Sequence, residues 1–374
     1  MVFTLTSKDH IHYHGVDKAE EIVMEPSPPS KSSTGGVVAV FLSLAVVAII
    51  VFFALTNLSL FSNFFNVGNT VTTLNVSNSS SKVGNLTIGE PSNYADLVNY
   101  ALTQINNDRA TYNLSAVTLS PIMSAQEHAY SMYVNNYFSH WDTQGYKPYM
   151  RYSILNGTGA VEENVAYESA YLTFTSKVPE EQAIYNLEHD MMYNDSSCCQ
   201  NGHRDNILNP YHNRVSIGVM YSANRFYFVE DFENYYINLS SPIFDSSNNN
   251  VVLNGTPTTN LNPDSVIVAF DPLPQPLNAS TLNSEYQKPY DEGTIIGGAI
   301  PCSSGVFCKQ FSSGITVTPS TWIVTSSSIN IVFSLNQFLS KEGSGVYTIY
   351  LTQNTFAGSN KTESLTSISL FIQT

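Results

Sequence analysis

An uncharged apolar run from Val37 to Leu55 constrains this chain more than any other sequence feature. Its length matches the ~20 residues that an α-helix needs to cross a bilayer. A cleaved signal peptide is the alternative, but residues 1–36 are long for an n-region, and residues 54–57 lack a small-x-small cleavage site. The run therefore predicts an uncleaved transmembrane signal-anchor helix at 37–56.

The placement of lysine predicts the orientation of this helix, because basic residues stay on the cytoplasmic side. Lys8, Lys18 and Lys31 precede the run, and no Lys or Arg follows it before Lys82. We therefore expect a single-pass protein of the cell membrane with a cytoplasmic tail at 1–36 and extracellular C-terminal domains. N-glycosylation sequons agree with that side, since all follow the run: Asn57, Asn75, Asn78, Asn85, Asn113, Asn156, Asn194, Asn238, Asn254, Asn278 and Asn360.

The net charge of the chain argues against a nucleic-acid partner. Only 12% of the residues are charged and the net charge is −15, so the chain cannot neutralise a run of phosphates, and we expect no nucleic-acid partner. Asn, Ser, Thr and Tyr replace the missing charge. Such a surface suits an outer face exposed to acid or salt, and it is equally typical of glycosylated ectodomains.

Four cysteines form two close pairs, Cys198 with Cys199 and Cys302 with Cys308. An even count in an exported chain favours disulfides. The second pair could close a short loop. The first pair could be a vicinal disulfide, two free thiols or part of a metal site, and the sequence does not choose among the three pairings. In the predicted tail, His10, His12 and His14 alternate, which suits either a metal site or a flexible tail.

The composition along the chain predicts a stalk followed by two domains. Residues 57–92 are rich in Asn, Ser and Thr and read as a stalk. An α+β domain follows at 93–237, with helices at about 95–112, from Ser120-Pro121 to Phe138, and at about 179–193. A strand hairpin at 214–221 and 226–232 closes this domain. Short β-branched and aromatic runs at 238–374 predict a β-sandwich of immunoglobulin-like kind, with a looser β-rich extension as the alternative.

Four polar segments in the α+β domain resemble a known family when taken in order: FSHW at 138–141, EENVA at 162–166, YNLE at 185–188 and GHRDNILNP at 202–210. Their order and spacing are similar to those of the CAP superfamily of cysteine-rich secretory, antigen 5 and pathogenesis-related proteins, in its microbial branch, over about 94–234. Glu162 replaces the glycine of the family pattern, and glycine permits backbone angles that Glu does not.

The resemblance implies an α-β-α sandwich in which His140, Glu163, Glu188 and His203 converge in one cleft. Two imidazoles and one or two carboxylates are ligands that a divalent ion such as zinc accepts, with a position left for water. A second carboxylate could then act as a general base. The resemblance therefore leaves three functions open. The cleft binds a divalent metal, lipid or peptide for recognition; or the four residues form a zinc-dependent hydrolase; or they hold the layers together as a structural element. Recognition is the preferred interpretation.

The C-terminal domain carries no cluster of catalytic type. We interpret it as a spacer, an adhesion module for a cell-envelope partner or a cover over the cleft.

Overall fold

The computed structural model describes residues 2–5, 80–83, 86–169, 179–241, 243–302, 308–354 and 362–373. The predicted span Val37–Leu55, the three tail histidines and most of the stalk lie outside these ranges. Within them, no helix is long and apolar enough to cross a membrane.

The described helices alternate with strands in the first domain and are sparse in the second. They are α1 Tyr94–Thr111, α2 Ser124–Asn135, α3 Pro148–Ile154, α4 Pro179–Tyr193, α5 Ser196–Cys199, α6 Gly202–Ile207, α7 Ala279–Glu285 and α8 Asn336–Glu342. The described strands are β1 Val2–Leu5, β2 Ser80–Val83, β3 Leu86–Gly89, β4 Thr118–Leu119, β5 Ala160–Ser169, β6 Arg214–Ser222, β7 Arg225–Asn234, β8 Ile237–Leu239, β9 Phe244–Asp245, β10 Asn250–Pro257, β11 Ser265–Asp271, β12 Thr294–Ala299, β13 Ile315–Val317, β14 Thr321–Val324, β15 Ile329–Ser334, β16 Gly345–Asn354, β17 Thr362–Ser364 and β18 Ile368–Ile372.

The predicted helices at 95–112 and 179–193 are confirmed as α1 and α4. The second predicted helix begins later than expected, at Ser124 instead of Ser120-Pro121. The Ser120 hydroxyl accepts a hydrogen bond from the Ile122 amide at 3.0 Å, which holds these residues in a turn before the helix. The helix ends at Asn135, because the next residue, Asn136, has a left-handed backbone (φ 57°) that stops it.

The central sheet of the first domain has the strand order β1-β5-β7-β6-β4. The predicted hairpin is confirmed, because β6 and β7 pair antiparallel with Tyr221 opposite Phe226. On one face, α1 and α4 pack against Phe228 and Phe232. On the other, α2 and α3 pack against Val161 and Val229. Helices cover both faces, as the α-β-α expectation requires.

Strand β1 departs from the predicted topology. It pairs antiparallel with β5, placing Val2 opposite Glu168 and Leu5 opposite Val165. A strand in this sheet lies on the same side of a membrane as the sheet itself. The pairing therefore disagrees with a cytoplasmic location for residues 2–5.

The end of the predicted stalk is part of the folded domain. Strands β2 and β3 form an antiparallel hairpin. Leu86 and Ile88 on β3 are buried against Leu155, and the Gln126 side chain on α2 donates a hydrogen bond to the Gly89 carbonyl at 2.5 Å. Leu86 and Ile88 are apolar at alternate positions, a pattern that indicates a strand even though the surrounding segment is polar.

The C-terminal region forms two sheets around one core. One sheet has the order β14-β15-β10-β8 with β9 beside β10, and the other has the order β13-β12-β11-β16-β17 with β18 beside β16. Val251 and Ile331 of the first sheet share a core with Val268 and Ile349 of the second. This is the expected two-sheet packing, whereas the immunoglobulin-like topology stays a prediction. The region also contains α7 and α8, which the sequence analysis missed because each is only two turns long.

Hydrogen bonds around the start of β18 join the C-terminal region to the α+β region, and the domain boundary between residues 237 and 238 stays a prediction. The Ser367 amide donates to the Gly159 carbonyl at 2.9 Å, and the Ser369 amide donates to the Ser153 hydroxyl at 2.9 Å. Both cysteine pairs left open by the sequence are disulfides here, Cys198–Cys199 and Cys302–Cys308.

Candidate functional site

Four buried polar residues of the first domain lie in the middle of β5 and β7. Glu163 lies opposite Asp231, and the next pair along is Asn164 opposite Glu230. Successive side chains of a strand point to opposite faces of the sheet. Glu163 and Asp231 therefore face α2 and α3, while Asn164 and Glu230 face α1 and α4.

On the α2 face, His140 and Glu163 form a fixed pair. His140 Nδ1 lies 2.8 Å from Glu163 Oε1. Arg151 on α3 joins both residues, since its Nη2 donates to Glu163 Oε2 at 2.5 Å and its Nη1 donates to the His140 carbonyl at 2.7 Å. All three side chains are buried.

Carboxyl groups outnumber cations around Arg151. Glu127, Asp142, Glu163 and Asp231 are all buried within the electrostatic reach of this one guanidinium. Burial raises the pKa of Asp142 to about 6 and that of Glu163 to about 7. Burial, together with a neighbouring carboxyl, raises the pKa of Glu127 and of Asp231 well above the usual range. Near neutral pH this face therefore holds protons on several of its carboxyl groups.

Two of these carboxyl groups reach an open groove of about 280 Å³, which we call the carboxyl groove. Glu127 Oε2 and Asp142 Oδ2 are buried and make no hydrogen bond with the described residues; Arg151 Nε approaches Glu127 Oε2 only to 3.8 Å. The rest of the lining is mostly polar. The groove is bounded by Leu86, Thr87, Glu127, Tyr130, Ser131, Val134, Asn135, Asp142, Thr143 and Gln144.

The C-terminal region closes the same face above His140. The Tyr290 ring lies 4.9 Å from the His140 ring, centroid to centroid, and its hydroxyl accepts a hydrogen bond from the Glu163 amide at 3.2 Å. Nearby, Lys147 Nζ contacts Asp271 Oδ1 at 2.8 Å. His140 and Glu163 are consequently fully buried. Of the three predicted roles for the C-terminal region, this geometry matches the cover.

On the opposite face, Glu188 of α4 lies beside Glu230 of β7. Burial and the neighbouring carboxyl raise the pKa of Glu188 well above its usual range, and burial raises that of Glu230. The Asn164 amide group donates to Glu230 Oε2 at 3.1 Å and to the His203 carbonyl at 3.2 Å. This face is therefore a second, separate polar cluster.

His203 is held by an acid that the sequence analysis did not select. Its Nδ1 lies 2.5 Å from Asp195 Oδ1, and its backbone amide donates to Asp195 Oδ2 at 2.9 Å. Cys198 and Cys199 follow Asp195 on α5, so the disulfide lies beside the same histidine.

The structure thus brings the four predicted residues together only in part. The sheet separates His140 and Glu163 from Glu188 and His203, instead of gathering all four in one cleft. The reason is the period of two along β5 and β7, which sends adjacent acidic residues to opposite faces. Glu162, the departure from the family pattern, lies in extended β5 with its Oε2 3.3 Å from His212 Nε2 and forms no special turn.

A zinc ion with all four residues as ligands does not fit this arrangement. A tetrahedral site needs its ligands around one point, whereas here the donors lie on two faces of a sheet. Sequence reasoning also missed six residues of the two clusters, although FVEDF at 228–232 gave a signal: acidic residues inside an apolar strand are costly unless they have a role. The missed residues are Glu127, Asp142, Arg151, Asp195, Glu230 and Asp231.

Known proteins resemble this chain in one family model and in solved structures. Residues 102–232 match the model of the cysteine-rich secretory protein family, CAP. An extracellular protein containing an SCP domain from Bacillus anthracis str. Ames is 22% identical, over 36% of this chain and 40% of that chain, with a TM-score of 0.26. An outer surface protein from Borrelia burgdorferi is 16% identical, over 37% of this chain and 92% of that chain, with a TM-score of 0.28. No curated protein sequence matches.

The family match supports a conclusion, whereas the structural matches do not. Both TM-scores are too low to carry an argument, and the chain spans less than half the length of the Bacillus protein. The family model covers α2 to α6 with both polar clusters, and all four predicted residues fall inside it. Residues 102–232 are therefore a domain of the cysteine-rich secretory protein (CAP) family.

Proposed function

We propose that the CAP domain is an extracellular binding module that recognises a basic side chain of a peptide in the carboxyl groove. One observation carries this proposal: Glu127 and Asp142 line an open groove with buried oxygens that accept no hydrogen bond from the described residues. A buried acceptor without a donor is costly. An ammonium or guanidinium group in the groove would supply charge-assisted hydrogen bonds to both carboxyl groups once they turn toward it.

Charge and size favour a peptide over the lipid and the metal that the sequence also left open. Four carboxyl groups face one guanidinium, and a bound cation would favour their ionised forms, so the site can supply negative charge to a basic side chain. The lining is mostly polar and offers no apolar channel for an acyl chain. A volume of about 280 Å³ is open to one long side chain while the backbone stays outside.

Hydrolysis by the four predicted residues is less well supported. A metal-bound water needs its ligands and a general base at one place, and the two histidines lie on opposite faces of the sheet. Each has its own carboxylate partner, Glu163 for His140 and Asp195 for His203.

The test of recognition is fluorescence anisotropy with labelled peptides centred on lysine or arginine, beside the same peptides with acetyl-lysine or citrulline. We expect binding only of the charged peptides, and its loss in the Glu127→Gln/Asp142→Asn variant. Glu188→Gln is the matched control, because it removes a buried carboxyl from the other face. Affinity should also fall as pH drops through about 6, where Asp142 gains a proton. Equal binding of charged and uncharged peptides, or no binding at all, would refute the proposal.

We also propose that Val37–Leu55 anchors the protein in the membrane with the CAP domain outside. The apolar run and the lysine distribution support this; the pairing of β1 with β5 opposes it. Protease treatment of intact cells, in which the protein carries one tag at each terminus, distinguishes the membrane anchor from the β1–β5 pairing. A protected N-terminal tag with a cleaved C-terminal tag supports the anchor, and cleavage of both tags supports the strand pairing.

A further inference from the structure

Four residues of metal-binding type meet where α4 leads into α6. They are Asp195, Cys198, Cys199 and His203, and one candidate ligand atom from each lies within 4.8 Å of the others. Only His203 belongs to the predicted set. The cluster lies on the α1 and α4 face, away from the carboxyl groove.

Two of the four ligands are already held in place. Asp195 Oδ2 accepts hydrogen bonds from the amides of His203 at 2.9 Å and Arg204 at 3.2 Å, which fixes the carboxylate at the start of α6. Its Oδ1 lies 2.5 Å from His203 Nδ1 and 3.6 Å from Cys198 Sγ. An ion entering here would meet oxygen, nitrogen and sulfur atoms whose positions the fold has largely set.

Burial divides the cluster into an inner and an outer half. Asp195 and His203 are buried, whereas Cys198 is exposed and Cys199 is half-buried. The sulfur atoms therefore lie on the solvent side, where both a reductant and a metal ion can reach them.

We propose that these residues form a zinc site that is closed by the Cys198–Cys199 disulfide and opened by its reduction. In the disulfide state the sulfur atoms are bonded to each other and cannot act as thiolate ligands. An external dithiol breaks the sulfur–sulfur bond, gives up two electrons and two protons, and itself becomes a disulfide. Zinc then displaces both thiol protons and forms two zinc–sulfur bonds.

The donor set favours zinc over hard cations. Two thiolates, one imidazole and one carboxylate make a four-coordinate set with soft and borderline ligands, which suits zinc and not calcium or magnesium. The ligands also lie close together in the sequence, as in other small zinc sites.

The test uses Co²⁺ as a spectroscopic probe, followed by displacement with Zn²⁺. Protein reduced with a phosphine and desalted without oxygen should bind one equivalent of Co²⁺ with a thiolate-to-cobalt charge-transfer band. The oxidised protein and the Cys198→Ser/Cys199→Ser variant should lack that band. Cys302→Ser/Cys308→Ser is the matched control, because it removes the other disulfide and should retain the band.

A separate variant tests the oxygen ligand. Asp195→Asn keeps the size of the side chain, and we expect it to weaken Zn²⁺ binding by about tenfold or more. Circular dichroism of every variant checks that the fold is intact. Absence of the band in the reduced protein, or its persistence in Cys198→Ser/Cys199→Ser, would overturn the proposal, and unchanged affinity in Asp195→Asn would remove Asp195 from the site.

Discussion

Arg151 is the residue on which the α2 face of the CAP domain depends. It is fully buried and donates to Glu163, to the His140 carbonyl and, at 2.9 Å, to the Tyr146 carbonyl. Removing one partner of a buried ion pair leaves an uncompensated charge, which costs more than the pair itself contributes. We therefore interpret Arg151 as a structural residue that holds this cluster together.

We predict that Arg151→Met lowers the free energy of unfolding by about 3–5 kcal/mol at pH 7. The loss should be smaller at pH 5, because the carboxyl groups left behind can then take up protons. Urea unfolding at both pH values measures this. Arg225→Met, which removes an exposed hydrogen bond to Asn136, is the control and should cost about 0.5 kcal/mol or less. A loss as small as that of the control would show that Arg151 does not hold the cluster.

The division of the four predicted residues between two faces can be tested by a double-mutant cycle. Substitutions at sites that share no partner add in their effects on stability to within about 0.5 kcal/mol. His140 pairs with Glu163 and His203 pairs with Asp195. We therefore expect the stability losses of His140→Ala and His203→Ala, measured by thermal melts, to be additive. A coupling energy well above that limit would mean that the histidines share one site after all.

At the scale of elements, the close approach of α2 to β6 sets the position of the groove wall. A Cβ atom built at Gly218 of β6 would lie 2.1 Å from the Ala125 carbonyl oxygen of α2. That separation is far below van der Waals contact, so any larger residue must push the helix away from the sheet. The helix carries Glu127, Tyr130 and Ser131 of the carboxyl groove.

We predict that Gly218→Ala destabilises the protein by about 1–3 kcal/mol through overpacking and weakens peptide binding by shifting α2. Urea unfolding and anisotropy measure the two effects. Ser222→Ala, at the end of the same strand, is the control and should change neither. If Gly218→Ala is neutral in both assays, α2 is free to adjust and does not fix the groove.

At the scale of the whole molecule, an unusual number of carboxyl groups are buried with raised pKa values. A carboxyl whose pKa is higher in the folded than in the unfolded state gives the folded state more protons, so stability falls as pH rises between the two values. For Glu163, a rise from 4.5 to about 7 corresponds to about 3 kcal/mol lost across that interval. The groups concerned are Glu127, Asp142, Glu163, Glu188, Glu230, Asp231 and Glu233.

We therefore predict that the protein is more stable at pH 5 than at pH 7. Thermal melts of the full chain from pH 4 to pH 8 measure this. In Glu163→Gln the dependence on pH should be shallower, because one titrating group is gone. Stability that increases from pH 5 to pH 7 would contradict the raised pKa values.

The sequence predicted elements and family better than it predicted the site. Helices α1 and α4 and the β6–β7 hairpin follow from periodicity, which depends on neighbouring residues only. The separation of Glu163 from His203 depends on which face of β5 each packs against, and this is a tertiary property. Arg151 and Asp195 carried no motif, so their roles could not be predicted from spacing. The hairpin at 80–89 was missed because its polar composition outweighed two apolar residues.

The contact of Tyr290 with His140 has a consequence for the order in which the chain is made. The CAP domain emerges first, but the residues that cover its α2 face are made later, and the last of them, Ser369, comes 135 residues after β7 ends at Asn234. At roughly 5–20 residues per second, that face waits about 7–27 seconds for its partner. During this interval that face lacks the cover that it has in the folded protein, so we expect the incomplete chain to bind a holding chaperone until the C-terminal region is made.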